Sequence, residues 1–488
     1  MVTDYKVELY IIRNPVPPEA MQPMPDANLA ARAPSPPAPL PPEVRWLFGF
    51  QFANAVNFTL ALGAPMVLTA RFLGAGESLL GCLLSFTPFL VILQLFASNL
   101  AERWGYRRLM LAGWGTRACL LLLAAPLPLL HGRVPDALLL GALTAVLFGF
   151  NLVRGFSSGA WLPWISQRIS EPLRGRYFGW EQSVVSFSVL LALFTAGAFV
   201  GKAAAGWKYA VLLLVSWLAG WLSIAILRRV PCQMPPAAEQ RARRDWRQLL
   251  HAYRSVWAEK SFRRVCRFSV MNSLAIAAFP GFLLLFQRDR LALGEGVVLM
   301  LASGSTFGVL LTALFWGRFT DRFGSRPTLR LAGAGQFFVL IAWMLTAAGL
   351  HHPGLVEVAL LCVLFGVVQC ASSIPQLKLF LAACPAQEIT VAVTLNGVLV
   401  AVSGGMAPVV WGVLLQILRA HGAPSGLLQA FSIFFAAAAL LTLAAQVILS
   451  RIREPRAVPT LEVMVTLLRD WPLRVISDIG WFGSRPER

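Results

Sequence analysis

From Trp46 onward, long apolar runs alternate with short polar breaks. A helix rising about 1.5 Å per residue needs about twenty apolar residues to cross about 30 Å of hydrocarbon, and twelve such runs recur. The pattern predicts membrane helices over 46–70, 77–98, 109–130, 137–165, 179–201, 209–228, 264–287, 296–317, 328–350, 355–379, 389–417 and 426–450. In hydrocarbon every backbone polar group must be satisfied within the segment, so the expectation is an all-α membrane protein with twelve transmembrane helices. The longest break, 229–263, separates six spans (45–228) from six (264–450) and reads as a basic linker. Within it "RDWRQLLHAYRSVWAE" places Trp246, Leu249, Leu250, Tyr253 and Trp257 at helical spacing, the pattern of an interfacial amphipathic helix. Residues 1–44 repeat proline ("NPVPPEAMQPMPDANLAARAPSPPAPLPPE") and read as a disordered tail. They hold no signal-peptide h-region, so the first apolar run is expected to stay as the first membrane helix. The tail 451–488 carries Leu461, Met464, Leu467, Leu468 and Trp471 on one side of a short surface helix, read as docking on membrane lipid.

Composition sharpens this reading. Of 488 residues 57% are hydrophobic and 13% charged, too apolar for soluble domains with charged surfaces. The formal net charge of +19 raises the question of nucleic acid, but the cations sit in short loops between apolar runs, and no solvated basic face is available for a duplex. Their distribution alternates instead. One side collects Arg103, Arg107, Arg108, Arg168, Arg174, Arg176, the run from Arg228 to Arg267, Arg318, Arg322, Arg326, Arg330 and Arg451. Cationic loops resist translocation, which predicts that both termini and the linker are cytoplasmic, with the inner or plasma membrane of a bacterium as the expected location. The seven cysteines are scattered without a CxxC pair, and the five histidines fall in or beside loops. Neither a metal centre nor a disulfide framework is indicated, and no cofactor is expected.

Two internal repeats follow the 6+6 division. "SNLAERWGYRR" (98–108) after the second span matches "GRFTDRFGSRP" (317–327) after the eighth, with Glu102 and Asp321 219 residues apart; "LFGFNLVRGFSS" (147–158) in the fourth span matches "LFGVVQCASS" (364–373) in the tenth. Matching offsets argue for two pseudo-symmetric six-helix halves. These residues resemble the major facilitator superfamily of secondary transporters. Its loop signature, G-x-L-A-D-R-x-G-x-R/K, is met by Gly317, Asp321, Arg322, Gly324 and Arg326, and by Glu102, Arg103, Gly105 and Arg107 in the first copy, where Glu102 replaces Asp. "EPLRGRYFG" (171–179), with Arg174 and Arg176, is similar to another loop of the family. The resemblance implies a twelve-helix fold working by alternating access, with these loops as a gate; chemically, an acid there is suited to capping a neighbouring helix N-terminus.

A polar side chain within a span must find a partner or line a cavity. Arg154 is read as the only Arg or Lys well inside a span, at a cost of about 2.5 to 3.5 kcal/mol on insertion scales. Asn151, Ser158 and Trp161 share its helix face. The tenth span repeats the stripe without charge through Gln369, Ser372, Ser373 and Gln376, while Asn54, Asn57, Gln182, Asn272 and Asn396 add amides from other spans. Three roles stay open for Arg154: a substrate or coupling site, an ion pair with Glu181, and a side chain snorkelling to the cytoplasmic side. "SGGMAPVVWG" in the eleventh span reads as a close helix-packing interface.

No nucleophile–base constellation, P-loop or metal cluster is visible, so an enzyme is not expected. The reading is a monomeric secondary or facilitative transporter of a small organic solute, with a lone Arg among amides favouring an anion. The alternatives are a proton-coupled exporter of amphiphilic compounds and a non-transporting membrane scaffold.

Overall fold

The computed structural model describes residues 41–94, 104–166, 168–169, 171–202, 205–230, 246–385, 388–420, 426–452, 454, 458–459 and 462–463. The described residues form sixteen α-helices and no strand: α1 Val44–Leu62, α2 Ala64–Phe72, α3 Glu77–Phe89, α4 Tyr106–Ala124, α5 Asp136–Ser158, α6 Trp161–Ser166, α7 Glu171–Val200, α8 Gly206–Arg228, α9 Trp246–Ala258, α10 Lys260–Ile276, α11 Phe279–Asp289, α12 Glu295–Phe323, α13 Ser325–Ala347, α14 Leu355–Ala383, α15 Ile389–Ala420 and α16 Gly426–Ser450. Eleven helical segments are long and apolar enough to cross a membrane, and a shorter apolar one, Glu77–Leu93, stands where the second span is expected. The chain is thus an integral, multi-pass membrane protein. Phe338, Leu314, Val356, Leu360 and Leu440 are exposed on its outer surface, as a lipid solvent requires.

Two spans are broken near their middles. Gly63 takes an extended conformation and Pro65, which has no N–H to donate, sits in the first turn of α2. Pro280 likewise opens α11 after α10 ends at Ile276. These broken spans are the first and seventh, equivalent positions in the two halves.

The duplication is visible atom by atom. Gly105 (φ +80°) and Gly324 (φ +98°) precede α4 and α13 in a conformation that favours glycine. Two residues later, Arg107 Nη2 donates to the Arg228 carbonyl at 2.6 Å, and Arg326 Nη2 donates to the Ser450 carbonyl at 2.8 Å. In each half an arginine ties the start of the third span to the end of the sixth.

The halves meet along α3 with α15 and α7 with α12. Close backbone approach is built from glycine: a Cβ on Gly81 would stand 2.2 Å from the Pro408 carbonyl oxygen, one on Gly412 2.5 Å from that of Glu77, and one on Gly296 2.3 Å from that of Gly197. The Gly296 N–H donates to the Gly201 carbonyl at 2.9 Å. The "SGGMAPVVWG" stretch therefore packs against α3, as small residues at membrane interfaces do.

The linker helix α9 buries Ala252 and Val256 and packs Tyr253 against Phe262, Leu379, Phe380, Val391 and Leu449, all of the second half. Trp257, expected on its apolar face, is exposed. Linker residues 231–245 lie outside the described residues. So does most of the predicted C-terminal helix, including Leu461, Met464, Leu467, Leu468 and Trp471, although Val463 is buried against Phe319 and Phe323.

Candidate functional site

A cavity of about 980 Å³ lies between the halves. Its wall comes from Phe58 to Ala64 on α1 and α2, Leu83 to Val91 along the second span, Val189 and Leu193 on α7, Ser269 to Ala277 on α10 and just after it, Ser373 to Phe380 on α14, and Asn396 to Pro408 on α15. On the second span, α10, α14 and α15 the lining runs from near the middle of the span toward the arginine-rich end, whereas on the first span and α7 it begins near the middle and runs toward the opposite end. A second chamber of about 310 Å³ abuts it, sharing Leu62, Gly63, Ala64, Leu84 and Leu193, and continues toward the opposite end.

That opposite end is tied shut across the halves. Arg71, after the break in the first span, donates from Nη2 to Asp289 Oδ2 at 2.7 Å, and Glu77 Oε1 accepts from Arg419 Nη1 at 2.8 Å. Arg71 also lies 3.6 Å from Glu77. Arg288 Nε donates to Glu295 Oε1 at 2.8 Å, and the other oxygen of Glu295 accepts from Tyr209. Glu77 and Glu295 are buried, so three acids and three arginines neutralise one another where water is scarce.

At the arginine-rich end Arg107, Arg326, Asp321 and Glu454 bond within their own half. Asp321 pairs with Lys378 of α14, not with a helix N-terminus. The carboxylate that caps α13 is that of Glu454, accepting from Ser325 N at 3.0 Å and Arg326 N at 2.7 Å. Gly317, Asp321 and Arg322 are helical, because α12 runs to Phe323 and the turn comes only at Gly324. Arg322 lies over the Phe323 ring and Arg176 is exposed. Glu102 and Arg103 fall outside the described residues, as does the Arg174 side chain.

The predicted polar set divides in three. Ser373, Gln376 and Asn396 line the cavity, and Asn272 Nδ2 donates to Gln376 Oε1 at 3.1 Å. Ser269 joins them: it lines the cavity, is buried, and its hydroxyl has no partner. A second group stands just behind the wall. Arg154 Nη1 donates to the Thr87 carbonyl at 3.1 Å and to Asn151 Oδ1 at 3.2 Å, and its guanidinium lies 4.9 Å from the Phe58 ring centre. Thr87 and Phe58 are cavity wall, and Phe58 is the midpoint of the Val44–Phe72 span. Arg154 is therefore level with the midpoint of the first span, one side chain from the cavity. Glu181, the expected ion-pair partner, accepts instead from Gln51 and from Trp161 Nε1 at 3.2 Å.

The third group does not line the cavity. Asn57 donates to the Ser216 carbonyl at 2.7 Å and accepts, through its own carbonyl, the Ser216 hydroxyl at 2.8 Å; it pins α1 to α8. Gln182 donates to Ser186 one turn along α7, and Ser158 and Gln369 are partly buried without lining the cavity.

Arg154 is not the only cation inside a span. Arg117 of α4 is 3% exposed, donates from Nη2 to Asn54 Oδ1 at 2.7 Å, and lies 5.1 Å from the Phe150 ring centre. Phe150 in turn meets Phe58 at 6.3 Å. Two arginines thus flank a pair of aromatic rings, attracted to the ring faces by the quadrupole. Among the described residues neither is paired with a carboxylate. Arg117 was legible in "GWGTRACLLLL": it falls inside the predicted span 109–130, on one face with Gly113, Trp114 and Leu121.

The family model for the Major Facilitator Superfamily matches residues 47–408. The chain belongs to that superfamily, whose members are transporters that bind small-molecule substrates, some with protons. No curated protein matches the sequence. Solved structures share the fold: a nucleoside transporter, NupG, in a point-mutant form, is 15% identical with a TM-score of 0.62, covering 83% of this chain and 98% of its own. A D-xylose–proton symporter is 14% identical with a TM-score of 0.63, covering 82% and 96%. A POT family transporter in complex with 5-aminolevulinic acid is 13% identical with a TM-score of 0.63, covering 85% and 97%.

Proposed function

We propose that this chain moves a small organic anion across a membrane by alternating access, with the solute held in the cavity between the halves. The observation that carries the reading is the charge balance at mid-depth: among the described residues, Arg117 and Arg154 meet amide oxygens, a backbone carbonyl and ring faces, and no carboxylate. Two such cations in a low-dielectric wall create a positive potential that an anion in the cavity would neutralise. Ser269, Ser373, Gln376 and Asn396 supply neutral partners on the other wall. The cavity extends toward the arginine-rich end while ion pairs tie the other, which fits a state open to the cytoplasm if the arginine-rich loops are cytoplasmic, as their charge favours. Glu102, Arg103, Gly105, Arg107, Gly317, Asp321, Arg322, Gly324, Arg326, Arg174 and Arg176 then form the gate that would close when the cavity turns outward. The working unit is one chain in a bacterial inner membrane, with lipid around its exposed apolar surface.

Binding tests this directly. Small carboxylates should raise the thermal stability of the purified protein, and Arg154→Gln should weaken their binding about tenfold or more, since a charge-assisted hydrogen bond is worth about 1.5 to 3 kcal/mol. Equal anion binding by wild type and variant would remove the reading.

Glu181 favours proton coupling as a second reading. It is buried and accepts hydrogen bonds from two neutral donors, with Tyr177 one turn away on the same helix. Glu181→Gln should make uptake into proteoliposomes insensitive to an imposed pH gradient; a gradient response equal to wild type would exclude this carboxylate as the carrier.

A further inference from the structure

Both chambers are walled mainly by apolar side chains, and the cation Arg154 stands behind the wall of the larger one, which names the kind of anion. The larger one carries Ser269, Ser373, Gln376 and Asn396 in its wall, with Arg154 directly behind. The smaller one is walled chiefly by Leu84, Leu193, Phe279, Leu283, Leu301 and Phe365. Of its few polar groups, Gln287 donates to Cys362 at 3.3 Å and Ser305 donates to the Ala302 carbonyl at 3.0 Å, and Thr306 adds a hydroxyl. Beyond it, toward the closed end, stands the Arg71–Asp289–Glu77 cluster. The chamber is therefore a mainly apolar, blind pocket, joined to the larger cavity at Leu62, Gly63, Ala64, Leu84 and Leu193 and backed by those ion pairs.

Water filling such a pocket would find few partners, and apolar-lined cavities tend to stay dry. A solute confined to the larger cavity would leave that space unused. Resting on the reading of the protein as an organic-anion transporter, we propose that the substrate is an amphiphilic anion: its charged end lies in the larger cavity beside Arg154, and its apolar end fills the blind chamber lined by Leu84, Leu193, Phe279, Leu283 and Phe365. The break at Gly63–Ala64 lies in the wall shared by the two chambers, so a solute bridging them would touch the point where the first span bends.

The test is a series of straight-chain carboxylates from about two to about ten carbons, with the primary alcohols of equal length, titrated into the full chain in lipid nanodiscs. Each added methylene should tighten Kd about fourfold until the blind chamber is full, after which Kd should level off. Ala302→Phe, which fills the chamber, should move that limit to shorter chains and leave the shortest unaffected. Leu284→Ala, which enlarges it, should move the limit to longer ones, so one variant's failure to fold does not end the test. Arg154→Gln should weaken all carboxylates by a common factor and leave the alcohols unchanged. A Kd independent of chain length, no binding at any length, or a limit that neither chamber variant moves would overturn the proposal. Alcohols that bind as tightly as carboxylates, with the chain-length limit intact, would overturn the anionic end alone and leave the apolar chamber in place.

Discussion

At the scale of single residues, the buried arginines set the problem, because each carries a permanent charge into a medium that resists it. Arg117 is the deeper of the two, and its one strong polar partner is the side-chain oxygen of Asn54. Replacing it with alanine removes a charge but also orphans that oxygen and the space around Trp114 and Phe150. An unsatisfied buried acceptor costs about 1–3 kcal/mol, and lost packing adds to it. Arg117→Ala is therefore expected to lower the melting temperature measurably, whereas Arg154→Gln, whose guanidinium is partly accessible beside the cavity, should affect anion binding far more than stability. Thermal unfolding of both variants, with and without a small carboxylate, separates the two roles; equal melting temperatures for Arg117→Ala and wild type would mean the site repacks without loss.

Among helices, the closed end depends on glycine contacts where α7 meets α12. A Cβ on Gly296 would also stand 2.7 Å from the Gly201 N and O atoms, backbone that has little room to retreat. Overpacking of this kind costs about 1–3 kcal/mol, and the cost falls only on the state in which these helices touch. In a background without cysteine, a single cysteine at Ser305, in the blind chamber, should then be labelled from the closed side about fivefold faster or more when Gly296→Leu is added. Gly115→Leu, where a Cβ meets nothing within 4 Å, is the control expected to change nothing. No faster labelling in Gly296→Leu would show that this contact does not hold the end shut. Element existence was legible beforehand, since each of the twelve apolar runs overlaps a described helix. The breaks at Pro65 and Pro280 could not be read from proline alone, since Pro375 and Pro408 also remove a backbone donor in mid-span yet sit inside the unbroken helices α14 and α15. What pattern also could not supply was which polar group meets which. Asn57 and Ser216 are 159 residues apart, and only the packing of α1 on α8 turns a predicted cavity amide into a helix clasp. Glu181 meets Gln51 rather than Arg154 for the same reason: helical spacing sets the face of one span and says nothing of the neighbour across it.

For the whole molecule, the two ends of the cavity are unequal, and the inequality is electrostatic. At the closed end the contacts Arg71–Asp289 and Glu77–Arg419 join the halves, while at the other end Arg107, Arg326, Asp321 and Glu454 bond within their own half. A transporter that alternates must exchange these sets, so the bonds across the closed end contribute to the population of this state and not to the stability of either half. Arg71 and Asp289 are both largely shielded, at 15% and 16% side-chain exposure, whereas Arg419 is 48% exposed. Solvent screening reduces the value of the second contact relative to the first. Arg71→Gln should therefore raise labelling of Ser305→Cys from the closed side more than Arg419→Gln does. A double-mutant cycle of Arg71→Gln with Asp289→Asn should show the two changes to be non-additive, as residues in direct contact are, while Arg419→Gln with Asp289→Asn should be closer to additive. None of these substitutions should move the melting temperature of the protein as much as Arg117→Ala, because they act between the halves. If Arg71→Gln and Asp289→Asn add independently, the ion pair is incidental and the glycine contacts of α3, α7, α12 and α15 alone keep that end closed.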